Sequence, residues 1–209
     1  MKYYQELTLI ADDMPFFELW SKIFTQLHIA LADVKNSHGI DTIGVNFPNY
    51  QYTEKQGKTF ATLGHKLRIF APSEQALQTL NLDKWLARLI DYVHIKRIQP
   101  VPEVHGHVVV RRYRYKNFDK KVAEFANFKG ISDQEALAHC LAHKRAIKHY
   151  PFITLKSQTT QNDYKLSIWQ EVAKDEKSGS LNTYGMNNQS DAVTVPQDRK
   201  STRLNSSHT

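Results

Sequence analysis

Between Phe16 and Val34 the chain repeats one spacing. Phe16, Leu19, Trp20, Ile23, Phe24, Leu27, Ala30, Leu31 and Val34 recur every three or four residues, which puts them on one broad stripe of a helix. A stripe that wide has to be buried, and the flanking segments carry the other period. Leu7-Thr8-Leu9-Ile10, with Tyr3 and Gln5 before it, reads as a short strand. Ile43, Val45 and Phe47 alternate and stop at Pro48, and residues 66–70 alternate again. Asp12-Asp13-Met14-Pro15 reads as the helix start, a carboxylate cap with an early proline. Residues 49–64 are polar and glycine-bearing, so a loop is expected there. Pro72-Ser73 opens one or two helices through Tyr92, broken near Asn81-Leu82-Asp83, and residues 93–98 form a last strand. Strand, helix, strand, strand, helix, strand is the split βαβ order. The expectation is an α+β fold with an N-terminal ferredoxin-like (βαββαβ) domain over residues 1–98, its open sheet face free for a partner.

Pro100, Pro102 and Gly106 mark a hinge, and residues 99–196 are expected to form a basic α+β domain suited to a polyanion. Residues 107–116 read as a strand in which basic residues interleave with tyrosines, and residues 117–128 as a helix. Ser132-Asp133-Gln134-Glu135 is a capping box for a helix over 136–148 that ends in Lys144, Arg145, Lys148 and His149. Residues 151–169 read as a hairpin turning near Asp163. The stretch from Asp198 to Thr209 looks like translated adapter or vector sequence, so residues 197–209 are expected to be a non-native, disordered tail.

The formal net charge is +7, and its placement is uneven. Residues 1–96 hold ten Lys/Arg and ten Asp/Glu, whereas residues 97–209 hold eighteen and eleven. A polyanion is therefore expected to dock mainly on the second half; ordinary solubility charge is the plain alternative. No run reaches the roughly 18 apolar residues of a membrane span, and the first residues lack the pattern of a signal peptide. Cys140 is the only cysteine, which excludes an internal disulfide and a Cys-based zinc cluster and suits a reducing cytoplasm.

Few residues arrange themselves for chemistry. His28 falls at the border of the apolar stripe, just beyond Phe24, where an imidazole can serve as a proton carrier or simply bond a backbone carbonyl. His105 and His107 share a face of any strand, and His139 and His143 share a face of a helix; each pair could supply half of a zinc site. His-Glu-x-x-His and Gly-rich phosphate loops are absent, and the carboxylates are too scattered for a two-metal centre, so no metal or cofactor is expected. Arg111, Arg112, Arg114 and Lys116 with Tyr113 and Tyr115 form the densest basic-aromatic patch. In a strand, Arg112, Arg114 and Lys116 point one way, and Arg111, Tyr113 and Tyr115 the other. Such a patch can line phosphates and stack on bases, or merely protect an edge strand. Lys156-Ser157-Gln158-Thr159-Thr160 ends a strand with a cation, hydroxyls and an amide, groups that suit both a phosphate and a plain turn.

Five short segments stand out by their order and spacing: Phe24-Thr25-Gln26-Leu27-His28-Ile29-Ala30-Leu31, Ile43-Gly44-Val45-Asn46-Phe47-Pro48, Leu63-Gly64-His65-Lys66-Leu67-Arg68-Ile69, Leu155-Lys156-Ser157-Gln158-Thr159-Thr160 and Tyr184-Gly185-Met186. Together they resemble the Csy4 (Cas6f) family of CRISPR RNA-processing endoribonucleases of type I-F systems, over roughly residues 1–196. The resemblance implies a cut of the repeat hairpin in precursor CRISPR RNA without a required metal. The 2′-hydroxyl upstream of the scissile phosphate would attack it, leaving a 2′,3′-cyclic phosphate and a 5′-hydroxyl. His28, Ser157 and Tyr184 correspond to the family's catalytic residues: His28 for proton transfer, Ser157 to hold the 2′-hydroxyl in line, Tyr184 to orient His28. The implied partners are the repeat hairpin RNA and type I-F guide-complex proteins, with the product retained.

The chain departs from that pattern in two places. The helix expected at 117–128 carries only Lys120 and Lys121 as cations where the family has an arginine-rich helix, and Arg111, Arg112, Arg114, Lys116 and Lys129 are expected to compensate. The family's base-reading Arg-Gln pair is absent near residues 105–107, and His107 is expected to help read the base of the stem. Lys156 and Gln158 complete the expected RNA contacts. The alternatives are a non-cleaving hairpin-binding subunit of a guide complex, and a small metalloenzyme built on the histidine pairs.

Overall fold

The apolar stripe is buried as its spacing requires. In the computed structural model, which describes residues 1–10, 13–103, 106–115, 118–143, 148–157, 160–188 and 190–198, it faces inward along α1 (Phe16–His38), which follows β1 (Tyr3–Leu9). Only Phe16 of the stripe stays exposed, with its ring beside His65. The start of α1 differs from expectation. Pro15, extended at φ −68° and ψ 146°, is itself the cap and makes no side-chain capping hydrogen bond; Asp12 lies outside the described residues. Proline presets the φ the helix needs and has no N–H to satisfy. Gly39, left-handed at φ 69°, closes the helix by donating to Lys35 O.

The remaining elements of the first half are β2 (Gly44–Asn46), β3 (Gln51–Lys55), β4 (Lys58–Thr62), β5 (Lys66–Ala71), α2 (Glu74–Leu80), α3 (Leu82–Trp85), a 3₁₀ segment (Ala87–Tyr92), β6 (Val93–Ile95) and β7 (Gln99–Pro100). Asn81, at φ 48°, makes the expected break between α2 and α3. Four strands pair in the order β2-β5-β1-β6, every neighbour antiparallel. This is an α+β fold consistent with the ferredoxin-like arrangement. The segment expected as a loop instead carries a ribbon, β3 paired with β4 across Gln56 and Gly57. Both turn residues have positive φ, 50° and 74°, the demand of a type I′ hairpin turn.

The second half continues with β8 (Gly106–Tyr113), α4 (Phe118–Lys129), α5 (Asp133–Ala142), β9 (Phe152–Lys156), β10 (Asp163–Ala173) and β11 (Val195–Gln197). Its sheet runs β11-β8-β10-β9, again antiparallel. Val108, Val110, Ile153, Leu155, Leu166 and Ile168 from this sheet join the same core as the buried face of α1, Val45 and Phe47. The Gln170 side chain accepts from Phe47 N–H and donates to Phe47 O, which ties β10 to the first half.

The first sheet's other face is not free, contrary to expectation. Asn46 donates to Pro196 O, and Arg68 pairs with Asp198 at 2.9 Å. A Cβ on Gly44 would lie 2.6 Å from Val195 Cγ1, so the two segments touch only because residue 44 has no side chain. Gln197, counted above with the tail, is buried in β11; residues 199–209 lie outside the described residues.

The chain divides into a larger unit, Met1–Tyr113 with Tyr150–Thr209, and a smaller one, Arg114–His149. Residue 98 therefore lies inside the larger unit. The smaller unit is α4 and α5 around Val122, Ala126, Ala136 and Cys140. Its capping box forms as expected, with Ser132 Oγ accepting from Glu135 N–H and Glu135 accepting from Ser132 N–H.

Candidate active site

α1 carries His28 one turn beyond the fully buried Phe24, half-buried at the edge of the stripe. Its Nδ1 lies 2.8 Å from Thr183 O. A carbonyl oxygen can only accept, so Nδ1 carries the hydrogen, and the neutral ring keeps its lone pair on Nε2. The Tyr184 ring stacks on the imidazole with centroids 4.2 Å apart and planes 9° from parallel. One hydrogen bond and one stacked ring thus fix both the tilt and the tautomer of His28.

The turn that provides both contacts is built by Asn182. Its Oδ1 accepts from the N–H groups of Tyr184 and Met186, and its carbonyl accepts from Gly185 N–H. Gly185 is left-handed at φ 69°, and its carbonyl accepts from Val45 N–H at 2.9 Å. The turn is therefore fastened to β2.

The second sheet supplies the opposite wall where its apolar face runs out. Arg112 stands opposite Ile168, and Tyr164 opposite Leu155, so both extend the core-facing side of the sheet. The Arg112 guanidinium lies 5.0 Å from the Tyr184 ring centroid and 5.7 Å from that of Tyr164. The two phenol oxygens are 2.7 Å apart. Burial, then the hydrogen bond to Tyr184, pushes the Tyr164 phenol up to about 12, so it stays protonated and serves as a fixed hydrogen-bonding group.

β9 ends at Lys156, exposed, and Ser157 opens the turn that follows. Ser157 N–H donates to Asn162 O, and Ser157 Oγ accepts from Thr160 N–H at 3.2 Å. The hydroxyl therefore serves the turn as an acceptor and keeps its own proton for donation. A cleft of about 430 Å³ lies between these walls, bordered by His28, Arg112, Lys156, Ser157, Tyr164 and Tyr184. Among the described residues no carboxylate pairs with Arg112 or Lys156. An oriented imidazole, a hydroxyl and two unpaired cations facing one space can hold an anion and move a proton beside it.

The other expected residues fall elsewhere. Arg111 points to the far face of β8, where it pairs with Glu171, donates to Asp191 O and lies 5.2 Å from the Trp169 ring centroid. It faces away from Arg112, because adjacent strand residues face opposite ways. His107 is at the other end of β8, opposite Ala173 and Pro196. Arg114, Lys120 and Lys121 are exposed in the smaller unit. Lys116, Gln158 and His105 lie outside the described residues. His139 stacks between Phe125 and His143 at 4.6 and 4.2 Å. Among the described residues no three His, Cys, Asp or Glu side chains converge as metal ligands. Sequence reasoning missed Tyr164, Asn182 and the Thr183 carbonyl. The alternation of β10 puts Tyr164 on the side of Leu166, but only the strand register brings it to Tyr184.

The family model for CRISPR-associated protein (Cas_Csy4) matches residues 4–197. The CRISPR-associated endonuclease Cas6/Csy4 of Pseudomonas aeruginosa (strain UCBPP-PA14) is 28% identical over 170 residues, covering 80% of this chain and 85% of its own. Two solved structures are similar more faintly. One, a CRISPR associated protein Cas6, is 12% identical, with a TM-score of 0.34 over 95% of this chain and 99% of its own. The other, an RAMP protein binding different RNA substrates, is 9% identical, with a TM-score of 0.35 over 95% and 100%. Neither structural likeness is strong enough to carry an argument. The family match takes in both sheets, the helical insertion and every side chain named at the cleft: the chain belongs to the Csy4 family of CRISPR-associated proteins.

Proposed function

We propose that this protein is an endoribonuclease that cuts precursor CRISPR RNA at the repeat hairpin without a metal ion and retains the hairpin product. Family membership supports the RNA-cleaving class, and the cleft suggests the chemistry. His28 Nε2 takes the proton from the ribose 2′-hydroxyl next to the scissile phosphate. The 2′-oxygen attacks phosphorus and the bond to the 5′-oxygen breaks, leaving a 2′,3′-cyclic phosphate. The 5′-oxygen takes a proton from water and leaves as a hydroxyl, and His28 returns its proton to the solvent, so the protons balance. Ser157 donates its hydroxyl hydrogen bond to hold the nucleophile in line, and Tyr184 acts by orienting His28. Arg112 and Lys156 face the charge that builds on the phosphoryl oxygens.

The observation that carries this reading is the Nδ1 contact of His28 with Thr183 O, because it leaves Nε2 as the base. On this reading residues 1–98 supply the base, and residues 99–196 supply the hydroxyl and the cations. Arg114, Lys116, Lys120, Lys121, His107 and Gln158 remain candidates for contacts to the hairpin, and type I-F guide-complex proteins are the proposed assembly partners. Among the described residues no helix is long and apolar enough to cross a membrane.

The test is single-turnover cutting of type I-F repeat hairpins in excess chelator. His28→Ala is expected to lower the rate by about 10²- to 10⁴-fold with hairpin affinity unchanged. A 2′-deoxy substitution at the cut should bind and not react. Activity abolished by the chelator, or cutting of the deoxy RNA, refutes the mechanism. Tight binding with no cutting by the unaltered chain leaves a hairpin-binding subunit instead.

A further inference from the structure

A second, larger groove of about 790 Å³ opens off the cleft. The two share Thr25, Leu155, Lys156 and Asp163 in their walls, so a chain leaving the cleft on that side enters the groove. The outer face of α1 forms one bank. α3 and the following 3₁₀ segment form the other and bring Trp85 and Arg88 to the groove. Four cations line it, Lys22, Lys84, Arg88 and Lys156, against the carboxylates of Glu18 and Asp163. Glu18 is already taken by Lys22 at 3.2 Å. Lys84, Arg88 and Lys156 are exposed, and among the described residues none of the three pairs with a carboxylate. The Lys84 ammonium lies over the half-exposed Trp85 indole, 5.6 Å from its centroid, which leaves the opposite ring face for a base.

We propose that this groove holds the unpaired RNA strand on the leaving-group side of the cut, with Trp85 as a stacking platform and Lys84 and Arg88 along the phosphates. The proposal rests on the function given above. When the cut falls at the 3′ foot of the hairpin, the stem lies on the attacking side of the phosphate. The strand continuing from the leaving oxygen is then unpaired and must pass out of the cleft. A channel that joins unpaired cations to an exposed aromatic ring suits a single strand, whose bases offer their faces for stacking. The carboxylates were few enough, and the shared wall direct enough, to favour this strand over any acidic protein segment, which would have no reason to begin at the scissile phosphate. Before the cut the tail is held both by the groove and through its bond to the hairpin; once the bond breaks, the tail is held by the groove alone, while the hairpin keeps its own contacts.

The experiment measures equilibrium binding of the full chain to repeat hairpins carrying a 2′-deoxy cut site and either one or eight uridines beyond it. The longer tail is expected to raise affinity about tenfold, the lower range of one stacked base and its phosphate contacts. Arg88→Glu, at an exposed position, and Trp85→Ala are each expected to remove most of that gain. A hairpin lengthened on its other flank should gain less than twofold. The proposal fails if the tail adds nothing, if the gain survives in Arg88→Glu, or if only the other flank adds affinity. The one-uridine hairpin separates the two readings. If the unaltered chain neither binds nor cuts its ribose form, the function itself is wrong; if it cuts normally without a tail effect, only the groove assignment falls.

Discussion

Replacing Glu6 by glutamine should unfasten the first sheet. Its carboxylate is 3% exposed in the middle of β1 and faces three cations: Arg68 Nε at 2.7 Å, Lys96 Nζ at 2.8 Å and Lys66 Nζ at 3.6 Å. Burial alone would raise this carboxyl. The hydrogen bonds from Lys96 and Arg68 and the charges of Arg68 and Lys66 outweigh it and hold Glu6 at about 2, against an ordinary 4.5. At about 1.36 kcal/mol for each pH unit, the difference corresponds to about 3 kcal/mol of folding stability. The carboxyl is lowered in the folded state, so this contribution is complete above its ordinary value of 4.5 and is lost as pH falls toward 2. Glu6→Gln leaves three cations around a neutral amide and is expected to cost about 3 kcal/mol near neutral pH. Its stability should also fall less steeply than the parent's in that acid range. Urea unfolding followed by tryptophan fluorescence at several pH values measures both. A variant as stable as the parent near neutrality, or one with the parent's full acid dependence, refutes the reasoning.

Two further substitutions probe the cleft, and a third, at Arg111, is the control. Gly185→Ala puts a Cβ at φ 69° and 2.9 Å from Val45 Cγ1; a loss of about 1–2 kcal/mol in thermal unfolding is expected, with slower cutting because the Thr183 and Tyr184 contacts shift. Unchanged cutting in a measurably destabilised variant would show that the turn does not set His28. Arg112→Ala should weaken hairpin binding and reduce the salt slope of log K by about one, whereas Arg111→Ala, whose guanidinium is held by Glu171, should leave the slope as it is. Equal slopes for the two variants would remove Arg112 from the phosphate.

The ribbon of β3 and β4 shows where pattern reading loses its signal. It lies largely in solvent, with Phe60 59% exposed, so no buried face imposes alternation. Its one local mark is the Gln56-Gly57 turn, and Gln-Gly is a weaker signal than Asn-Gly. The start of α1 went the other way: two aspartates and a proline all favour a helix start, and proline took the cap. The opposite faces of Arg111 and Arg112 were legible because strand alternation is strict. Which of the two faces the cleft was not, since that depends on which side of β8 meets α1.

The first helix and its two flanking strands follow from chain period alone, because a 3.6-residue stripe and a two-residue alternation are distinct signals; the order of the strands in the first sheet does not, because pairing is a tertiary choice. The identities of His28, Ser157 and Tyr184 as candidates came from short segments of the chain. Their gathering did not. Residues 28, 112, 157, 164 and 184 meet only because α1 packs beside β9, and because Asn182 and Gly185 fasten a turn to β2. That turn presents the Thr183 carbonyl, and with it the tautomer of His28, through a backbone group whose placement has no signature in residue type.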